Sequence, residues 1–124
     1  MRDHRKLRAF ELADDLTISI YRATRSFPKE EIYCLTSQMR RAAISVVSNI
    51  VEGCSRESQA EYTHILEMSF GSLRELHYQF VLATRLGYMR EAETPALEQK
   101  FGEAEKVLGA LVRSMRANPR RNPT

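Results

Sequence analysis

Histidines and cysteines are the residue types in this sequence most often used for catalysis and metal binding. None of the three histidines, His4, His64 and His77, has a histidine four residues away or lies in an H-E-x-x-H motif. The two cysteines, Cys34 and Cys54, lie twenty positions apart and lack the C-x-x-C spacing of zinc and redox sites. We therefore predict no metal and no cofactor. For the cysteines, a reduced cytosolic context is the simpler interpretation, and a disulfide between them is the alternative.

A serine beside a glycine is the remaining candidate for catalysis. Phe70-Gly71-Ser72-Leu73 is not a G-x-S-x-G nucleophile elbow, and it falls inside a predicted helix. We expect Gly71 to permit close approach of another helix there. The carboxylates, including Asp14-Asp15 and Glu30-Glu31, are scattered over predicted solvent faces. The sequence thus indicates neither an enzyme nor a small-molecule substrate.

Basic residues are concentrated at the two ends of the chain. Residues 1–8 carry a net charge of +3 and residues 113–124 a net charge of +4, which leaves −4 for the rest of a chain whose total is +3. Such a distribution is typical of proteins that bind nucleic acid or anionic surfaces. The alternative is that both ends are simply solvated tails.

The elements that must position these residues are four amphipathic helices, and no stretch alternates like a strand. They are predicted from about Arg8 to Ser26, from Thr36 or Ser37 to Gly53, from the capping box Ser58-Gln59-Ala60-Glu61 to Gly87, and from Thr94-Pro95 onward. Short connections make consecutive helices antiparallel. We expect an all-α, up-down-up-down antiparallel four-helix bundle in a single domain of residues 1–118, followed by a flexible basic tail of residues 119–124.

The predicted topology brings both termini and the connection of residues 53–57 to one end of the bundle. Basic residues would gather there into a collar, which we predict to bind nucleic acid through phosphates. The collar consists of Arg2, Arg5, Lys6, Arg8, Arg56, Arg113, Arg116, Arg120 and Arg121. No segment approaches the roughly 18 apolar residues of a membrane span, so we expect a soluble, cytoplasmic protein without membrane contact.

The second helix is apolar on two sides. Met39, Ala42, Ala43, Val46 and Ile50 share the predicted core face, whereas Ile44, Val47 and Val51 lie on another side. Four helices already close a bundle, so we predict that the second apolar side contacts another subunit. The alternative is that other parts of the same chain cover it.

A polar ridge runs beside these apolar faces. Its members are Gln38, Arg41, Ser45, Asn49 and Glu52, which step by three and four residues and continue to Arg56. We favour a structural hydrogen-bond network for this ridge. The functional alternative is a site that binds phosphate or bases through Arg41 and Arg56.

The order of several short motifs resembles a known family. The residues concerned are Phe27-Pro28, Tyr33, Leu35, Ser37-Gln38, Arg40 to Ala43, Ser45, Asn49-Ile50, Glu52-Gly53, Arg56, Ser58, Glu61, Gly71 to Leu73 and Glu75. They are similar to those of bacterial four-helix-bundle proteins encoded by intervening sequences in large-subunit ribosomal RNA genes, whose relatives include the accessory variability determinant of diversity-generating retroelements. The sequence departs from the pattern at Cys34, where glycine is expected, and at Val51, where alanine is usual.

The resemblance implies a small bundle that assembles into a ring, typically a homopentamer, and that accompanies a reverse transcriptase and nucleic acid in the retroelement branch. Two functional hypotheses follow. The first is a non-enzymatic, homo-oligomeric accessory protein that binds RNA or DNA, in the service of a reverse transcriptase or an rRNA-linked element. The alternative is a protein-interaction scaffold with no intrinsic nucleic-acid binding.

Overall fold

The computed structural model describes residues 2–117, which form four α-helices and three short 3-10 turns. The helices are α1 (Arg8–Ala23), α2 (Leu35–Cys54), α3 (Gln59–Arg85) and α4 (Thr94–Ala117). The 3-10 turns are His4–Lys6, Thr24–Ser26 and Lys29–Glu31. No strand occurs in residues 2–117, so the all-α prediction is confirmed.

Each helix packs against the helix that follows it, and α1 also packs against α4. Contacts between α2 and α3 show the direction of packing. The Ser69 hydroxyl donates to the Val46 carbonyl at 2.7 Å, and Gly53 near the end of α2 faces Tyr62 near the start of α3. Such pairing, in which positions rise on one helix as they fall on the other, identifies an antiparallel four-helix bundle, as predicted.

The core consists of the apolar stripes predicted from the three-and-four spacing. Its largest fully buried side chains come from all four helices and include Leu16, Ile20, Met39, Ile50, Tyr62, Leu66, Leu73, Phe80, Phe101 and Leu108. Burial of these stripes supplies most of the folding free energy, because helices of this length are marginally stable alone in water.

The ends of α3 match the predicted signals. The Ser58 hydroxyl accepts a hydrogen bond from the Glu61 backbone N–H at 3.3 Å. At the other end, Gly87 has a φ of 80°, a left-handed conformation that glycine adopts without steric penalty. The Tyr88 N–H then reaches back to the Ala83 carbonyl at 2.9 Å and closes the helix.

Three sequence-based predictions about helix boundaries and glycines need correction. Helix α2 starts at Leu35, whose N–H donates to the Glu31 carboxylate at 3.2 Å, so a side chain from the preceding turn caps it. Gly53 lies inside α2, which ends at Cys54, rather than after it. A Cβ at this position would be 3.3 Å from Tyr62 Cδ1, so the glycine permits close contact with α3. Gly71 has open space around it, and the close helix approach predicted there occurs at Gly53 and Gly109.

Candidate functional site

One end of the bundle holds the N-terminal segment, the connection between α2 and α3, and the end of α4; we name it the tail end. The Arg2 backbone N–H donates to the Cys54 carbonyl at 3.1 Å, and its guanidinium donates to the Arg56 carbonyl at 3.1 Å. The Gln59 side-chain amide lies 3.3 Å from the Met115 sulfur. The structure therefore brings together the segments that the predicted topology placed at one end.

Arg2 serves packing at the tail end. Its guanidinium carbon lies 3.9 Å from the centre of the Tyr62 ring, a cation–π distance. Burial raises the pKa of Tyr62 to about 12, with the neighbouring Cys54 adding to the effect. Arg2 thus covers a buried, neutral tyrosine and fastens the chain terminus to the bundle.

Four other arginines of the predicted collar form ion pairs with carboxylates. The nitrogen-to-oxygen distances are 3.0 Å for Arg5 with Asp3, 2.6 Å for Arg8 with Glu103, 2.7 Å for Arg56 with Glu52 and 2.6 Å for Arg116 with Glu67. Hydrogen bonds from Arg5 lower the pKa of Asp3, which favours its ionised form. These carboxylates reduce the positive potential that the linear sequence suggested.

Two collar residues, Lys6 and Arg113, are exposed and make no ion pair with any residue from 2 to 117. The whole predicted tail of residues 119–124, with Arg120 and Arg121, lies outside the described residues. Nucleic-acid binding by the collar therefore stays a prediction, with fewer unpaired cations than the sequence indicated.

The second apolar side of α2 forms one wall of a shallow groove against α1. The groove has a volume of about 410 Å³ and is lined by Ile44, Val47 and Val51, with Asp14, Thr17, Ser48 and Glu52 at its edges. Ile44 keeps 47% of its surface exposed, whereas Val47 and Val51 are half-buried. Residues 2–117 of the same chain therefore leave this face accessible to a partner.

The polar ridge divides into a network and an open pocket. Ser45 shares a 2.8 Å hydrogen bond with the Ser72 hydroxyl of α3, and the Asn49 amide donates to Ser45 at 3.1 Å. Gln38 and Arg41 line a pocket of about 390 Å³. The other pocket residues are Ala42, Ser45, Ser72 and Glu75. Ser72, which the sequence analysis considered only as a nucleophile and rejected, thus joins the ridge of α2 to α3.

Arg40 and Arg41 differ in their surroundings. The Arg40 guanidinium donates to the Thr24 hydroxyl at 2.8 Å and to the Tyr21 carbonyl at 3.3 Å, and it lies 4.8 Å from the centre of the Tyr21 ring. It therefore fastens α2 to the end of α1. Arg41 is exposed and makes no ion pair within the described part of the chain.

A cluster of one histidine, His77, with residues of α4 joins α3 to α4, and sequence spacing did not reveal it. His77 Nδ1 lies 2.8 Å from a Glu105 oxygen, and Nε2 lies 2.6 Å from a Glu98 oxygen. The ring also stacks on Phe101 at a centroid distance of 4.5 Å. Ionised carboxylates only accept hydrogen bonds, and a neutral imidazole has one N–H, so both contacts with ionised Glu98 and Glu105 require the imidazolium form.

Partial burial by itself would lower the pKa of His77, but its hydrogen bonds with Glu105 and Glu98 outweigh burial and raise it. The cluster offers no metal site, because the two carboxylates contact different ring nitrogens. No group of three or more histidine, cysteine or acidic side chains within residues 2–117 is arranged to hold a metal ion.

The two cysteines lie at opposite ends of α2. Cys34 is exposed just before the helix, and Cys54 is buried as its last residue. At about 1.5 Å per residue, a helix of 20 residues separates them by roughly 30 Å, too far for a disulfide. Burial raises the pKa of the Cys54 thiol, which favours its protonated and less nucleophilic form.

The opposite end of the bundle, which we name the loop end, holds the connections from α1 to α2 and from α3 to α4. Five exposed basic side chains lie on it, namely Arg22, Arg25, Lys29, Arg85 and Arg90. None of them belongs to the nucleic-acid-binding set predicted from the sequence. Because they are dispersed among loops and helix ends, only the folded chain places them together.

Comparison of structures supports the fold. A protein of unknown function from the S23 ribosomal protein family of Bacteroides thetaiotaomicron VPI-5482 superposes with a TM-score of 0.76. The two chains are 18% identical, and the alignment covers 85% of this chain and 95% of the other. This likeness concerns the four-helix architecture alone.

In residues 2–117 no helix is long and apolar enough to cross a membrane.

A search of curated proteins finds no match. The sequence profile of the family described as 23S rRNA-intervening sequence protein matches residues 5–110, which is most of the chain and spans all four helices. The chain therefore belongs to the 23S rRNA-intervening sequence protein family.

Proposed function

We propose that this protein is a non-enzymatic, homo-oligomeric helical bundle that binds nucleic acid as an accessory protein in the cytoplasm. The observation that carries the assembly part is the apolar groove between α1 and α2, with Ile44 47% exposed. An accessible apolar surface of this kind is typical of a protein–protein contact. A ring of five subunits and a reverse-transcriptase partner are the finer predictions of the family resemblance.

Nucleic-acid binding is supported by membership of a family named for an rRNA intervening sequence and by cations without carboxylate partners. The latter include Lys6 and Arg113 at the tail end and the five basic residues of the loop end. Binding through phosphates does not require base-specific contacts. It weakens steeply with rising salt, because the release of condensed counterions from the nucleic acid becomes less favourable.

The assembly is tested by light scattering of the full chain at several concentrations. We expect a defined oligomer that Ile44→Glu dissociates, because a carboxylate would be buried without a partner in the subunit contact. Met68→Glu is the matched control, since Met68 is 50% exposed on α3 and does not line the groove. An Ile44→Glu protein of unchanged size would show that the groove is not the subunit contact.

Nucleic-acid binding is tested by fluorescence anisotropy with a labelled RNA across a salt series. The expected result is binding at low salt and a linear fall of log affinity with log salt concentration. Absence of binding at about 50 mM salt would contradict the proposal.

The scaffold is a second candidate, favoured by one observation. Four tail-end arginines have their charges balanced by carboxylates, as expected if this end serves structure and solubility. A stable oligomer that binds no RNA or DNA would support the scaffold. The assembly experiment gives the same result for both candidates, so the salt series distinguishes them.

A further inference from the structure

The basic residues at the loop end are free of internal partners. In residues 2–117, the side chains of Arg22, Arg25, Lys29, Arg85 and Arg90 make no hydrogen bond or ion pair, and all five are exposed. An exposed, unpaired guanidinium can bind a phosphate without first breaking an ion pair. This property separates the loop end from the tail end.

The local charge balance also differs between the two ends. Residues 19–41 and 78–100, which form the loop-end half, contain eight Lys or Arg and five Asp or Glu. Residues 2–14, 44–72 and 103–117, which form the tail-end half, contain eight basic and nine acidic residues. The described part of the molecule is therefore more positive at the loop end.

Direct contacts join the two connections of the loop end into one surface. The Phe27 and Tyr88 rings lie 5.5 Å apart, and the Tyr88 hydroxyl donates to a Glu31 carboxylate oxygen at 2.8 Å. Glu31 also accepts from the Leu35 N–H, so this carboxylate is occupied by the fold. The two connections, with their basic residues, are thus held together by the contacts of Tyr88 with Phe27 and Glu31.

Tyr33 is the most exposed large hydrophobic side chain in the described part of the chain. It lies in the connection before α2 with 93% of its surface accessible, whereas Tyr62 at the tail end is 2% exposed. Aromatic rings presented to solvent beside basic side chains are the surfaces on which proteins stack unpaired bases. The exposed Tyr33 ring and the unpaired basic side chains are independent observations at the same end of the bundle.

We propose that the loop end holds single-stranded nucleic acid, with phosphates on its five basic residues and a base stacked on Tyr33. This inference rests on the proposed nucleic-acid binding and assigns its surface and its preferred strand form. It moves the site from the predicted collar to the opposite end of the bundle. Base pairing would oppose stacking on Tyr33, so single strands bind more tightly than duplexes.

The first experiment compares two variants that lose the same charge. Arg25→Gln, Lys29→Gln and Arg85→Gln are combined in a loop-end variant, and Lys6→Gln, Lys106→Gln and Arg113→Gln in a tail-end variant. Binding of a labelled 12-nucleotide oligouridylate is measured from about 50 to 200 mM salt. The loop-end variant is expected to bind at least about tenfold more weakly. The slope of its log affinity against log salt concentration should also be smaller in magnitude by about 2, because each lost phosphate contact with a single strand removes about 0.7.

The tail-end variant is expected to bind within about threefold of the wild type, since it keeps all five loop-end cations. The tail-end variant removes three exposed cations that have no carboxylate partner within residues 2–117. Equal losses in the two variants, or a larger loss in the tail-end variant, would overturn the inference. Thermal unfolding of each variant confirms that its fold is intact.

The second experiment tests stacking. Tyr33→Ala is expected to weaken oligouridylate binding at least about fivefold and to leave binding of a matched RNA duplex unchanged. Tyr33→Phe keeps the ring and is expected to restore binding to within about twofold of the wild type. Wild-type affinity of Tyr33→Ala for the single strand would overturn the stacking role.

The outcomes separate the two levels of the proposal. If the wild-type protein binds neither the single strand nor the duplex at low salt, nucleic-acid binding itself is wrong, and the inference fails with it. If the wild type binds and the loss follows the tail-end variant, nucleic-acid binding stands and only its assignment to the loop end is wrong.

Discussion

The two ends of this bundle contain the same kinds of residue in opposite roles. At the tail end, Arg2 covers the buried Tyr62 and other arginines pair with carboxylates. At the loop end, Tyr33 is exposed and the Arg25 side chain makes no hydrogen bond or ion pair within residues 2–117. A residue type therefore does not determine function by itself. The partners within reach decide whether an arginine or a tyrosine stabilises the fold or remains available to a ligand.

The largest expected difference between the ends concerns the two tyrosines. Tyr62→Ala leaves a cavity in a well-packed region and is expected to lower the free energy of unfolding by about 3–5 kcal/mol. Tyr33→Ala removes a solvated ring and is expected to change it by less than about 0.5 kcal/mol. Chemical denaturation measures both changes. Similar losses in the two variants would remove the distinction between a packed and an open end.

The cysteines provide a chemical test of the same difference. Cys34 is expected to react with iodoacetamide as an ordinary exposed thiol. Cys54 is expected to react at least about a hundredfold more slowly, because its burial requires local opening and disfavours the thiolate. Cys34→Ser and Cys54→Ser isolate the two rates in mass-spectrometric time courses. Equal rates would show that the tail end opens readily.

Arginine truncation should show the same contrast at a smaller scale. Arg2→Ala loses the cation–π contact and the bond to the Arg56 carbonyl, so it is expected to lower the free energy of unfolding by about 1–2 kcal/mol. Arg25→Ala, its control at the loop end, is expected to stay within about 0.5 kcal/mol of wild type. Thermal unfolding at matched pH measures both values. A larger loss for Arg25→Ala would contradict the view that this residue is free.

The smallest expected effect is a pH dependence that belongs to neither end. The charged His77 on α3 contacts Glu98 and Glu105 on α4, and Arg74 is also paired to Glu105 at 3.2 Å. Since folding raises the pKa of His77, its stabilising contribution is complete below the ordinary value of 6.5 and is lost as pH rises through the folded-state pKa.

Comparison of wild type with His77→Gln from pH 5.5 to 8.5 isolates this contribution. We expect the difference in unfolding free energy between the two proteins to be largest at the acidic limit and to shrink as pH increases. A difference that grows with pH would show that the ring is held neutral.

Most of the fold could be predicted from apolar spacing, caps and turn residues. Ser58 and Gly87 were placed correctly at the ends of α3 because capping depends on atoms only a few residues apart. The start of α2 was misplaced, since its cap is the carboxylate of Glu31 rather than a local hydroxyl. Gly53 was interpreted as a helix end because the contact that explains a glycine there is with Tyr62, which lies in another helix.

The candidate sites were predictable only in part. Ile44, Val47 and Val51 were found from helical spacing, since a second apolar side is visible in one helix. Two of the ion pairs at the collar, Arg8 with Glu103 and Arg116 with Glu67, join residues far apart in the chain and could not be read from it. The His77 cluster was missed for the same reason, because its partners are on α4.

The sequence alone determined the number of helices, their antiparallel order, their core faces and the family, because these follow from local spacing and short motifs. Only the tertiary structure decided which charges are neutralised, which tyrosine is buried and which cysteine is accessible. Electrostatic pairing and burial depend on distances of a few ångströms between side chains from different helices. Those distances exist only after the bundle has closed.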